Sequence, residues 1–166
     1  MFGLSTLGLI HTLISLIAVI AGIVAFVRDG RIKPDGLTGQ VYIWATVVTC
    51  LTGFGIFAHG GFGKPHALGI LTLIVLGVAV AAGKTKLFGR SWLLVETVSY
   101  STTFFFHMIP GVTETTTRLP AGNPVFPDAD APGLVVATGL IFILFLVGVV
   151  IQLRRLKVSV PELQSV

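Results

Sequence analysis

Long apolar runs, each closed by a short polar or glycine-rich break, set the hydropathy pattern of the 166-residue chain. A helix needs about 20 mostly apolar residues to cross the hydrocarbon core of a bilayer. The runs at about 4–27, 37–58, 66–82 and 133–153 fall in or near that range. Ser5 or Thr6 is placed to cap the first of them. The polar turn from Arg28 to Gly36 separates the first two runs, and the Gly60–Pro65 turn breaks the next pair. A basic connection with Lys84, Lys86 and Arg90 follows the third.

The segment 91–109 is more polar. It carries Glu96, Ser99, Tyr100, Ser101, Thr102, Thr103 and His107 among its apolar residues. Charge decides how to read it, because cytoplasmic loops of membrane proteins collect Lys and Arg. If it spans, Arg28, Arg31, Lys33, Lys84, Lys86, Arg90, Arg154, Arg155 and Lys157 share one side and only Lys64 and Arg118 the other, a nine-to-two split. If it does not, Arg118, Arg154, Arg155 and Lys157 change sides and the split falls to seven to four. The expected architecture is therefore an all-α integral membrane helix bundle of five transmembrane helices in one domain, multi-pass in the inner (plasma) membrane. The N-terminus is outside and the C-terminus cytoplasmic. Residues 110–132, with five prolines counting both ends, form an outer loop too interrupted for a long helix. Such a loop is either a lid or docking surface or a plain connector.

Composition agrees with this class. Hydrophobic residues make up 54% and charged residues 11%, against about 25% charged in soluble domains. Mean hydropathy is +0.95. The net charge of +4 sits in short loops and does not indicate nucleic acid. The apolar N-terminus lacks the positive region and cleavage site of a secretory signal, so the first helix is expected to be retained. Cys50 lies inside an apolar run and has no second cysteine to pair with. No nucleophile–base pairing or phosphate-binding glycine motif is legible.

Candidate chemistry rests on four histidines. In the five-span arrangement His11, His59, His66 and His107 all come near the outer face. Imidazole ligates haem iron, copper and zinc. An ionisable side chain inside a span is expensive to bury, which singles out His11 and His107. His59 and His66 flank a turn, where an interfacial histidine needs no ligand. A second pattern lies in the fourth helix. Glu96, Tyr100, Thr103 and His107 are spaced by four, three and four, so they share one helical face that is expected to avoid lipid. Such a row relays protons, lines a quinone cavity, or simply makes an interhelical hydrogen-bond seam with Glu96 paired to a loop base such as Arg90. Small residues beside the histidines admit either a flat macrocycle or close helix packing.

The stretch from His11 through Gly39-Gln40-Val41-Tyr42 to His66-Ala67-Leu68 resembles an uncharacterised bacterial family of multi-pass membrane proteins. Its members carry a histidine in the first helix, a Gly-x-x-Tyr opening the second and a histidine opening the third. The family's histidine before the Gly-x-x-Tyr is replaced here by Pro34-Asp35-Gly36. In broad plan the chain is also similar to small membrane-bound b-type cytochromes. That resemblance implies a small redox protein with one haem b held by His11 and His107, with His59 and His66 in support, exchanging electrons with quinone or a partner. Two other expectations stand beside it. One is a copper or zinc site made by His11, His59, His66 and His107. The other is a cofactor-free subunit of a larger membrane complex or a homo-oligomer, with lipid as its surroundings.

Overall fold

A computed structural model describes residues 5–57 and 61–159, with side chains to residue 156. The described residues form five α-helices and no strand: α1 (Thr6–Asp29), α2 (Leu37–Gly53), α3 (Lys64–Thr85), α4 (Trp92–Arg118) and α5 (Pro132–Ser159). A single 3-10 turn at Gly89–Ser91 leads into α4. Three helices, α1, α3 and α5, are long and apolar enough to cross a membrane. At 1.5 Å per residue the 17 residues of α2 reach only about 25 Å.

Local sequence explains the helix ends. Ser5 Oγ accepts the Gly8 N–H at 3.1 Å and starts α1. Gly30, at φ +70°, stops it, with its N–H on the Phe26 carbonyl. Pro65 sits in the first turn of α3, where its missing N–H costs nothing. The Gly39 backbone rests against the Lys33 carbonyl so closely that a Cβ there would lie 1.8 Å from that oxygen. The polar turn can therefore fold flat onto the start of α2.

Packing is inverted relative to a water-soluble domain. The large aliphatic residues of α1 (Leu9, Leu13, Leu16, Ile17, Ile20) face outward. Its small residues Ala18, Ala21, Gly22 and Ala25 face in, and Gly22 receives the ring of Phe104 from α4. Without a hydrophobic drive, membrane helices associate through such small faces and through hydrogen bonds. α4 occupies the centre and touches α1, α3 and α5. Its buried residues are polar almost throughout: Glu96, Thr97, Ser99, Tyr100, Ser101, Thr103 and His107. α5 is mostly exposed and leans on α4 through Phe105, Phe142 and Phe145.

One segment departs from its expected form. α4 does not end near residue 109 but continues through Pro110 to Arg118, so the non-helical stretch begins only at Leu119. Pro110 removes one backbone donor, which a helix tolerates when other bonds hold the next turn. Here the hydroxyls of Thr113, Thr115, Thr116 and Thr117 each return a bond to the carbonyl four residues back. Arg118 and Glu114 add an ion pair across the last turn. The remaining loop folds back on the helix, with Phe126 N–H on the Thr116 carbonyl.

Candidate functional site

The basic segments meet at one end of the bundle. Gln152 of α5 donates to the Gly30 carbonyl at 2.9 Å, and Arg31 reaches Glu96 of α4 at 3.0 Å. Lys86 lies over the Trp92 ring, 2.8 Å from its centroid. At this basic end the Glu96 partner is Arg31, not Arg90. Folding of the first turn onto α4 brings together two residues 65 positions apart. The carboxylate side chain is 3% exposed and the guanidinium 23%. Gly83 of α3 makes room for it, since a Cβ there would stand 2.1 Å from Oε1. A bare glycine on the neighbouring helix is the signal that the sequence carried and that reading along α4 alone missed.

From Glu96 the buried face of α4 leads into the bundle. Tyr100 and Thr103 are wholly buried and His107 nearly so. α2 supplies the partners that periodicity could not reveal. The Thr103 hydroxyl donates to the Tyr100 carbonyl at 2.8 Å, which commits its one hydrogen. Tyr42 therefore donates to Thr103 Oγ1, also at 2.8 Å. One turn further along both helices, Thr46 Oγ1 meets His107 Nε2 at 3.0 Å. The edge of the Tyr42 ring and the His107 imidazole are in contact, with centroids 6.1 Å apart.

His11 stands beside this row. Its Nδ1 lies 3.1 Å from Thr52 Oγ1. That hydroxyl has the Val48 and Thr49 carbonyls at 2.8 and 3.0 Å for its own hydrogen. The imidazole accordingly donates through Nδ1. Gly53 lets the ring lie against α2, with its Cβ position 3.2 Å from Cε1. His11 and His107 are close enough to interact electrostatically, and Glu114 of α4 acts on His11 from beyond.

Among the described residues, His11, His66 and His107 do not form one metal-holding group. His66, at the start of α3, is packed between Phe57 and Phe62, with centroids 5.0 and 5.2 Å away. Its Nδ1 accepts the Gly63 N–H at 3.2 Å, which is a helix-capping role. His59 lies outside the described residues. Among the described residues no group of three His, Cys, Asp or Glu side chains is placed to hold a metal ion. The fold thus sets His11 and His107 on the same helix, α2, through Thr52 and Thr46, and His107 continues the buried Glu96–Tyr100–Thr103 face.

Among the described residues, four buried side-chain polar atoms have no hydrogen-bond partner: the hydroxyls of Thr49, Thr97 and Tyr100, and His66 Nε2. Three of the four are hydroxyls in or beside the seam. Buried polar groups are rarely left so, and a roomy polar interior satisfies them with water.

No family model, no curated protein and no solved structure matches this chain. Its chemistry has to be read from the seam itself.

Proposed function

We propose that this chain is a multi-pass membrane protein that transfers protons through its interior, between Glu96 at the cytoplasmic end and the His107–His11 pair in the outer half. In this reading all five helices span, with the N-terminus outside. The gathering of the basic segments at one end supports that orientation. The polar α4 can span because its neighbours shield it from lipid. The short α2 turns Trp44, Val48 and Leu51 outward.

The observation that carries the reading is the row of titratable and hydroxyl groups on one buried face. It has a carboxylate at one end, two imidazoles at the other, and Tyr42, Thr103 and Thr46 between them. Tyr42 donates to Thr103, whose own hydrogen rests on the Tyr100 carbonyl, and Thr46 meets His107, so in this reading buried water joins these pairs to one another and to Glu96. The free hydroxyls of Thr97, Tyr100 and Thr49 mark where buried water would complete the row. Arg31 holds the Glu96 carboxylate at the mouth. Purified protein in liposomes with an internal pH dye and a potassium-diffusion potential tests this. Proton uptake above that of empty liposomes is expected, and Glu96→Gln and His107→Ala are each expected to remove it. Uptake equal to that of empty liposomes ends the proposal.

A second reading, one b-type haem, is favoured by one observation. His11 Nδ1 is held by the Thr52 hydroxyl, and an imidazole oriented by such an outer hydrogen bond is the arrangement found in metal-bound histidines. His107 fits less well, because its Nε2 is engaged by Thr46 and would have to exchange that bond. When bound, haem would supply electron transfer, and His11 would be its ligand. A Soret band in the purified protein that is lost in His11→Ala supports it. A colourless protein from haem-supplemented cells sinks it.

A further inference from the structure

The polar turn between α1 and α2 carries one aliphatic residue, Ile32. Its neighbours Arg31 and Lys33 reach carboxylates, but Ile32 is 1% exposed. It joins a buried cluster with Ala25 of α1, Tyr42 of α2, Ala79 of α3 and Tyr100 of α4. Four helices therefore close around one residue of a loop. We infer that this turn is a gate: Ile32 is its stopper, the Arg31–Glu96 pair is its latch, and protonation of Glu96 releases it. The trigger rests on the proton reading above, whereas the stopper is read from packing alone.

Arg31 and Ile32 are adjacent, yet they meet different levels of α4. Arg31 ends on Glu96 at 3.0 Å, and Ile32 enters the cluster of Tyr100, about one turn further in. An aliphatic side chain thus stands where the carboxylate gives way to the seam. Apolar constrictions hold water out by dewetting. At the same level the Tyr100 hydroxyl is, among the described residues, buried with no hydrogen-bond partner, a group that water would satisfy.

The turn is fixed at its ends and free to move at its middle. Gln152 holds the Gly30 carbonyl at 2.9 Å, and Gln40 donates to the Pro34 carbonyl. Between those anchors Arg31 and Ile32 belong to no helix, and a segment outside the regular elements is the kind that opens locally. The charged and titratable groups that act on Glu96 are Arg31 and Asp35 of the turn, Lys86 after α3 and Tyr100 on α4. The direct contact of Arg31 outweighs the longer-range repulsion of Asp35. A neutral Glu96 leaves Arg31 without that counter-charge, and a guanidinium already 23% exposed turns to water.

Thiol accessibility in detergent micelles tests the gate without measuring transport. Cys50, the chain's one cysteine, is first replaced by alanine. Ala79→Cys then reports from a wholly buried position, one turn inward of the Gly83 that faces Glu96. A charged, water-soluble methanethiosulfonate is expected to label it slowly. Adding Ile32→Ala or Glu96→Gln is expected to raise the rate at least about tenfold, and Ile32→Leu to keep it slow. Ile32→Cys is a second reporter that leaves the helices untouched. It is expected to react at least about tenfold more slowly than Lys33→Cys, and to speed up when Glu96→Gln is added. Ile32→Cys reacting as fast as Lys33→Cys overturns the inference. So does a failure of both reporters to respond to Glu96→Gln. Gated labelling in a protein whose liposomes take up no protons keeps the stopper and latch and removes the proton reading. Proton uptake with labelling that ignores Ile32 and Glu96 removes the gate and keeps that reading.

Discussion

Removing either partner of the Arg31–Glu96 pair should have unequal consequences. The two charges lie 3.0 Å apart. At an effective dielectric constant of about 20 their attraction is about 5–6 kcal/mol before desolvation is subtracted. The net value of such a pair is far smaller, but stranding one member is costly. The outcome turns on exposure. The Glu96 side chain is 3% exposed and has its carboxylate against Gly83, so Arg31→Ala leaves a charge that water barely reaches. The expected loss is about 3–5 kcal/mol. Glu96→Gln keeps an acceptor for Arg31, and a guanidinium 23% exposed can be partly hydrated. The expected loss there is about 1–2 kcal/mol. Reversible unfolding in mixed micelles, followed by far-UV circular dichroism as the denaturing detergent is raised, measures both. If Glu96→Gln costs as much as Arg31→Ala or more, the assignment of the buried charge to the carboxylate is wrong.

Three other outcomes follow from the same packing. Tyr42→Phe removes the hydroxyl from Thr103 but leaves the Thr103–Tyr100 bond, so a loss of about 0.5–1.5 kcal/mol is expected in the same unfolding assay. Gly39→Ala would set a Cβ 1.8 Å from a backbone oxygen that has nowhere to move, while Gly77 has nothing within 4 Å. The first substitution should cost at least about 2 kcal/mol and the second stay within about 1 kcal/mol of the wild type. Trp44 is 64% exposed on the outward face of α2. In liposomes its fluorescence should be quenched by lipids brominated along the acyl chain, measured in a Trp92→Phe background, and a lack of quenching would place α2 outside the bilayer.

The placement of polar residues along α4 was legible from spacing alone. Glu96, Tyr100, Thr103 and His107 recur every three or four residues, and all four are buried in the fold. The continuation of α4 past Pro110 was not legible in the same way. Prolines mark interruption, but one proline costs a helix only one backbone bond, and the bonds that resume after Pro110 carry α4 to Arg118 without a sign in the periodicity. Position along the chain already set His11 and His107, inside apolar runs, apart from His59 and His66 beside a turn. Packing supplied their partners: His66 caps α3 between two phenylalanine rings, while His11 and His107 each meet a threonine of α2, Thr52 and Thr46.

Sequence by itself determined the helical class, the apolar exterior and the polar stripe of α4, because those follow from local composition and a 3.6-residue repeat. Tertiary structure alone decided the partners: Arg31 for Glu96, Tyr42 for Thr103, Thr46 for His107, Thr52 for His11 and Gln152 for Ser101. Each of those bonds joins residues 41 or more positions apart. Their geometry depends on how closely small-residue faces let the helices approach, and that distance is a property of the packed bundle rather than of any one segment.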